Sequence, residues 1–437
     1  MPDAGCKFFT AGIGAPARPV QLDWFNSVIV SLIIFCPIFR GRGTDSRPHF
    51  TGRHGGMPVP ASLSAELSSS MLLLTGSTGF IGGALAARLI RTPRWERSLF
   101  LVRSANRNEG RARLASNLRL HGVSEDELQR LSPDQILCGD LTGVERWIDD
   151  PRLLQVSDVV NSAALASFGS HRSIFPTNVD GVLAMAHGLS RGRPLRRFIQ
   201  IGTGMSCGRN APRPVSEDYS PADGVEHYLD YTASKYQAEQ RLRTELPELP
   251  LVIARPSIVV GHTELGCAAS GSIYWVFRLA RALQAFPCEL DQKIDVIPVD
   301  YCAEALHLLL EKPTLKYAAY NISSGPSHAC TFGEIDEAIS VGTGEKKMSR
   351  YRQTHYDSFL QMQDRFKDLI GPCNKRIVLK AIRSYGYFAA EEVLFDNQRL
   401  IEEGMRPPQP LTDYVTLCER TSKDILIAQQ MKYDYKT

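Results

Sequence analysis

Between Met71 and Ile90 the chain passes from a continuous apolar run into three evenly spaced glycines and then into helix-forming residues. Few folds accommodate that order. Met71-Leu72-Leu73-Leu74 lacks polar alternation, which suits a strand buried on both faces of a parallel sheet. Gly76, Gly79 and Gly82 follow at G-x-x-G-x-x-G spacing. Ala84 to Ile90 then combines strong helix formers with an apolar face at helical period. Strand, glycine turn and helix together form the context in which a pyrophosphate is held. The glycines allow a tight turn and a close backbone approach, and the helix N-terminus offers unpaired N–H groups to the anion. Thr78, Phe80 and Ile81 lie between the glycines and belong to the same candidate cradle. A glycine-rich turn reads the same way in any α/β protein taken alone, so the rest of the chain decides.

From Met71 onward, apolar strand-like runs alternate with helical stretches. That alternation predicts an α/β fold with a doubly wound parallel sheet. The expected strands are 71–75, 99–103, 135–138, 158–161, 197–202, 250–255 and a late one near 320–322, with helices such as 125–131, 177–190 and 231–246 between them. After about Gly325 the alternation fades. The expected organisation is a poorly structured leader or a mis-assigned start over 1–70, an NADP(H)-binding domain with interleaved substrate segments over 71–330, and a smaller, mostly helical substrate or lid region over 331–437.

In such a sheet, ligands bind beyond the carboxyl ends of the strands. The second strand ends in Arg103, with Ser104 and Arg107 close behind. An acid there would bond a ribose diol, whereas arginine suits a 2′-phosphate, so NADP(H) is expected over NAD. Asp140, followed by Leu141, could meet the adenine amino group. The fourth strand runs into Ser162-Ala163-Ala164, small enough for a cofactor to pass. The fifth leads to Thr203, whose hydroxyl would lie beside the nicotinamide. Tyr231 and Lys235 are four apart and share a helix face; a neighbouring cation favours the phenolate and tunes it for acid–base work. With 15 tyrosines in the chain the spacing alone proves little. Its position after Thr203 and before the next strand carries the weight. The sixth strand ends in Arg255-Pro256-Ser257, where proline would shape a wall for the nicotinamide ring.

This order of motifs resembles the extended short-chain dehydrogenase/reductase superfamily, epimerase/dehydratase-like, over roughly Leu72 to Gly325. Within it the chain looks most like the fatty acyl-CoA reductase (male-sterility) and thioester-reductase branch, through Leu101-Val102-Arg103, Ala112-Arg113-Leu114, Gly139-Asp140-Leu141, Arg255-Pro256-Ser257 and Pro298-Val299-Asp300-Tyr301. The resemblance implies a catalytic set of Thr203, Tyr231 and Lys235, with Tyr231 as proton donor, Lys235 lowering its pKa and holding the nicotinamide ribose, and Thr203 orienting the substrate oxygen. Asn178 would support the site. It implies NADPH-dependent reduction of a carbonyl or acyl thioester, delivered on CoA or on a separate acyl carrier protein. Asn161-Ser162 and Gly202 depart from the branch pattern, and no adenylation or carrier domain is expected within the chain. Two alternatives share the fold: a nucleotide-sugar epimerase or dehydratase using NAD, and a non-catalytic dinucleotide sensor. Arg103 counts against the first, and the presence of Tyr231 and Lys235 against the second.

Composition excludes other classes. A net charge of +3 is too small to suggest nucleic acid. The basic cluster 191–197 reads as a solvated loop. Ten cysteines without a C-x-x-C pair indicate neither a zinc site nor a disulfide framework, so no metal is expected and a cytoplasmic location is the simplest. The apolar run Val28–Phe39 is about a dozen residues, short of the roughly twenty of a membrane helix and interrupted by Pro37, so membrane association is not expected. Cys207, His227, Tyr228, His262 and the apolar stretch 273–283 are placed to line a substrate pocket, although the stretch is more simply core. The segments around Tyr385, Tyr387, Phe388, Phe395 and Asn397 are expected to cap it.

Overall fold

The computed structural model describes residues 70–431, apart from Phe168, Arg193, Pro194 and 345–351. The leader, with its apolar run, lies outside the described residues.

Seven parallel strands form the central sheet: β1 (Met71–Thr75), β2 (Ser98–Val102), β3 (Ile136–Cys138), β4 (Val156–Asn161), β5 (Arg197–Ile201), β6 (Leu251–Pro256) and β7 (Ala319–Ile322). Their order is β7-β6-β5-β4-β1-β2-β3. The chain winds outward from β1 on one side and then, from β4, on the other, so the strand order reverses between β1 and β4. The register there sets Thr75 opposite Asn161. This reversal opens a crevice at the carboxyl ends, where α/β sheets bind ligands.

Both faces of the sheet are covered, which is why β2 and β5 are buried at every position and β1 at all but Met71, and why their residues are mostly apolar rather than alternating. On one face α1 (Phe80–Leu89), α2 (Arg107–Leu120) and α6 (Val299–Glu311) close a core through residues such as Leu85, Leu114 and Leu306. On the other, α3 (Gly181–Ser190) and α4 (Asp230–Glu245) close a second core around Phe198, Leu189 and Leu242.

A third core lies away from the sheet. It joins α5 (Tyr274–Leu283), whose residues Tyr274, Trp275 and Leu279 are fully buried, to α7 (Phe332–Thr343), α8 (Lys375–Ala390) and α9 (Leu411–Ser422). The helical cap thus draws on chain from both sides of residue 330. The segment around Leu400 and Met405 returns to the first core instead. Three two-stranded pairs of two-residue strands, one of them pairing Arg352-Gln353 with Ala285-Phe286, add local order.

The basic cluster before β5 corrects the solvated-loop expectation. Arg191 is exposed, but Arg197 is buried, and its guanidinium donates to the backbone carbonyls of Leu309, Leu310 (3.2 Å) and Lys312 (2.7 Å). Arg196 donates to the Leu310 carbonyl at 2.8 Å and pairs with buried Asp158 at 2.7 Å. These carbonyls end α6, where unpaired acceptors and the negative end of the helix dipole draw cations. Sequence proximity to a turn hid a C-terminal cap more than a hundred residues away.

Candidate active site

The glycine turn is built so that side chains cannot intrude. Gly76 has φ +70°, and a Cβ there would lie 2.6 Å from the Ala163 nitrogen and from the Ser162 carbonyl carbon. A Cβ at Gly82 would lie 2.7 Å from the Gly76 carbonyl carbon. The backbone closes on itself through Gly79 N–H to Gly76 O at 2.9 Å. Helix α1 has Gly79 as its N-cap, no side chain on its first N–H groups and no acid in its first turn. Its positive end is therefore open to an anion. Thr78, Phe80 and Ile81 are half-buried around it. These residues fit the pyrophosphate of a dinucleotide.

Two further contacts fix the turn. Thr75 donates its hydroxyl to Asn161 Oδ1 at 2.5 Å and accepts from the Ala163 amide at 3.1 Å, tying the ends of β1 and β4. Asn117 on α2 donates to the carbonyls of Ser77 (3.0 Å) and Gly79 (3.2 Å). At the end of β2, Arg103 is exposed, and its guanidinium has no ion pair among the described residues. Arg113 donates to its carbonyl, bringing a second cation alongside. Arg107 instead pairs with Asp134 at 3.1 Å, and Ser104 turns towards the Val102 carbonyl and the Cys138 sulfur. Asp140 is partly committed: its Oδ1 accepts from the Thr142 amide and hydroxyl at 2.9 and 2.7 Å, while Leu141 is buried beneath α3.

At the other end of the crevice, β5 gives way to Gly202 and Thr203. Thr203 is 9% exposed and caps a short turn by accepting from the Met205 amide at 3.3 Å. Helix α4 packs on that turn. Tyr231 and Lys235 sit one turn apart on α4, with the Lys235 nitrogen 6.0 Å from the centre of the Tyr231 ring. Lys235 is 4% exposed and donates to the Ile201 carbonyl at 2.7 Å, two residues before Thr203. Burial pushes the Tyr231 phenol up to about 12 and the Lys235 ammonium down to about 8. Buried Asn178, in a single wide helical turn over Pro176–Asp180, accepts from the Leu165 amide (2.7 Å) and donates to the Ser234 hydroxyl (3.0 Å). It thereby ties the loop after β4 to α4. Pro256 ends β6, and the Ser257 amide donates to the Ile322 carbonyl at 2.9 Å.

Comparison with known proteins agrees with this geometry. The male sterility protein family matches residues 74–306, more than half of the chain. The chain belongs to that family. The described part has its NAD(P)-binding domain and the extended short-chain dehydrogenase/reductase fold. Aldehyde reductase lnaA of Aspergillus flavus is 25% identical over 317 residues, covering 67% of this chain and 29% of that protein. The terminal R domain of the myxalamid PKS-NRPS pathway superposes with a TM-score of 0.66 at 20% identity, covering 81% of this chain and 91% of that one. An archaeal thiolation-reductase di-domain of a non-ribosomal peptide synthetase gives 0.63 at 20% identity, covering 82% and 75%. The chain spans about 30% of the length of the first curated relatives it matches.

In this family member the cap reaches the site through a C-terminal strap. The Val215 amide donates to the Leu394 carbonyl at 2.7 Å, and the Asp396 amide to the Val215 carbonyl at 3.0 Å. Phe395 lies against Gly204, where a Cβ would meet its ring at 2.8 Å, one residue from Thr203. Tyr228 packs on Phe388 with ring centres 4.3 Å apart and donates its hydroxyl to Glu391. Arg209 sits over the rings of Tyr228 (5.7 Å) and Tyr387 (5.2 Å). Asn397 holds the Ser323 carbonyl at 2.9 Å. Cys207 is buried, its thiol pushed up to about 12 by desolvation. His227 packs at a tilt on Tyr236 with ring centres 5.2 Å apart, and burial lowers its pKa. His262 accepts from the Glu264 amide at 3.0 Å in a loop. Neither histidine is brought to Tyr231 by any of these contacts.

Sequence reasoning missed Asn117, the Arg113 contact and two buried acids. Glu217 is 3% exposed and accepts from the amides of Asn321 and Arg399, both at 2.9 Å; burial raises its pKa to about 7. Asp295 accepts from the Ser324 amide (2.9 Å) and the Phe395 amide (3.1 Å). Each joins stretches of chain far apart in sequence, so no local spacing signals it. Among the described residues no helix is long and apolar enough to cross a membrane, and no group of three His, Cys, Asp or Glu side chains is placed to hold a metal.

Proposed function

We propose that the protein is an NADPH-dependent reductase of acyl thioesters, acting in the cytoplasm on an acyl group carried by CoA or by a separate carrier protein. The observation that carries this reading is half-buried Tyr231 paired with buried Lys235 beside Thr203, at the end of the same crevice as the open α1 N-terminus. The reductase names of its relatives support it. Gly76, Gly79, Gly82 and the first amides of α1 would hold the pyrophosphate, Arg103 the 2′-phosphate, and Lys235 the nicotinamide ribose. The exposed Arg103 cation, where an acid would suit NAD, supports NADPH.

When bound, the nicotinamide supplies hydride to the thioester carbonyl carbon. Tyr231 gives its proton to the carbonyl oxygen as negative charge develops there. With its pKa held near 12 by burial, the phenol is fully protonated at neutral pH, as a donor must be. Lys235 stabilises the phenolate left behind, and Thr203 holds the substrate oxygen beside Tyr231. Cleavage of the C–S bond then passes the new hydroxyl proton to the departing sulfur, which releases the thiol and leaves an aldehyde. Phe395 and the cap keep water from the reacting atoms.

The test is NADPH oxidation against a panel of acyl-CoA thioesters and the matching aldehydes. Thioester turnover that disappears in Tyr231→Phe supports the reading. Turnover of aldehydes alone moves the protein out of thioester reduction, and turnover of neither despite NADPH binding removes the proposal.

A further inference from the structure

One cavity of the described structure lies away from Tyr231. It measures about 190 Å³ and lies in the cap between Pro287, the 353–356 segment and α8. That is room for a handful of waters at about 30 Å³ each. Gly386 makes it possible, because a Cβ there would strike the Pro287 ring at 2.7 Å. The chemistry of its wall is specific. The Arg383 guanidinium lies 5.9 Å from the ring centres of both Tyr356 and Tyr387, and it has no carboxylate partner among the described residues. His355 completes the wall. Arg376 and Lys380, exposed and likewise without an ion pair among the described residues, precede Arg383 at helical spacing on the same face of α8. A guanidinium held between rings keeps its N–H edges for a planar or tetrahedral oxyanion.

The cavity is linked to the catalytic end by one row of side chains. Tyr387 is shared by Arg383 and Arg209, and Arg209 covers Tyr228, three residues before Tyr231. The ligand should therefore be long, with an anionic group at the end remote from its reacting carbon. We propose that this cavity binds the phosphate of a pantetheine arm, the group shared by acyl-CoA and an acylated carrier protein. The inference rests on the thioester reading above, since a pantetheine arm carries its phosphate at the end opposite its thioester.

The test separates the two. Calorimetry with the full chain and NADP⁺ would compare the unreactive thioethers S-hexyl-phosphopantetheine and S-hexyl-pantetheine. The wild type should bind the phosphorylated form about tenfold more tightly, the worth of one charge-assisted hydrogen bond. Arg383→Gln should bring that ratio close to one, and Arg383→Lys should keep part of it. Equal affinity for the two compounds in the wild type, or a ratio unchanged in Arg383→Gln, overturns the site. Because this readout needs no turnover, a thioether preference without thioester reduction would leave the cavity assigned and remove the reductase. Hexyl-CoA and a hexylated holo-carrier then identify the source: both contain the phosphate, and whichever loses affinity in Arg383→Gln is read by this site. If neither loses affinity, the proposal fails.

Discussion

Gly82→Ala separates the stability of the glycine turn from its function. The residue lies in α1, where alanine is preferred over glycine by about 1 kcal/mol. Against that, the new methyl would sit 2.7 Å from the Gly76 carbonyl carbon, whereas carbons rest at about 3.5–4.0 Å. Something must move by roughly 1 Å, and the obstacle is backbone rather than a flexible side-chain end. Overpacking of this kind costs about 1–3 kcal/mol. The two terms nearly cancel, so the melting temperature should fall by no more than a few degrees. The cofactor feels the displacement without compensation. The amides of the turn would no longer converge on the pyrophosphate, and losing one or two charge-assisted hydrogen bonds, at about 1.5–3 kcal/mol each, raises the NADPH Kd at least tenfold. Gly79→Ala is the internal comparison: its methyl would stop 3.2 Å from the Gly76 oxygen, so its effect should be smaller. Fluorescence titration and thermal melts read both quantities. An NADPH Kd within about twofold of wild type for Gly82→Ala, with the fold intact, would mean that this turn does not hold the pyrophosphate.

Tyr231→Phe should lower kcat by about 10²–10⁴, the range of a positioned general acid, and leave the NADPH Kd within about twofold; a comparable loss of affinity would show that the phenol serves binding rather than proton transfer. With Lys235 lowered to about 8 by burial, its charge is present below that pH and lost above it, so kcat/KM for NADPH should decline as pH rises through about 8. A profile flat to pH 10 would sever Lys235 from cofactor binding. Arg103→Ala should raise the Kd for NADPH by about 10- to 100-fold and shift preference towards NADH, as expected for loss of a phosphate-binding cation; an unchanged NADPH/NADH ratio sinks the 2′-phosphate assignment. Glu217 has its pKa raised by burial from the usual 4.5 to about 7, so the folded state holds a proton that the unfolded state releases. Its contribution to stability therefore weakens as pH rises from about 4.5 through 7, and Glu217→Gln should flatten that part of the melting-temperature profile. An identical slope in both proteins would show that Glu217 does not titrate there.

How much of this was legible in the sequence depended on the range of the interaction. The seven strands of the sheet follow from mostly apolar runs of three to six residues bounded by turns, and the observed ends fall within a residue or two of those expected. Tyr231 and Lys235 share a helix face because four residues make about one turn, a purely local fact. Arg103 stands at a strand end for the same reason. The failures all cross large sequence gaps. Arg197 reads as part of a solvated turn until α6, more than a hundred residues later, leaves its last carbonyls facing the guanidinium. Glu217 has no neighbour in sequence that explains an acid; its partners are the amides of Asn321 and Arg399.

The same contrast accounts for the third core. Helices α5 and α8 are each apolar on one side, and each alone reads as an amphipathic helix on any domain. Their union requires Trp275 to meet Tyr385 edge-on at 5.4 Å. It also requires the strap around Phe395 to run back to Val215 and Gly204. Asp295 and Glu217 secure that return by accepting backbone amides on the strap, at Phe395 and Arg399. Amide acceptors of this kind tolerate many side chains on the donating segment, because the donor is backbone. The strap can therefore change its residues freely while the cap stays registered over Thr203. Phe395 meets a stricter demand, since Gly204 leaves room for that ring only because it carries no Cβ. In this architecture the dinucleotide half is fixed by local chain grammar. The seating of the strap against Gly204 is instead set by two buried carboxylates and one glycine–phenylalanine contact, which only the folded chain brings together.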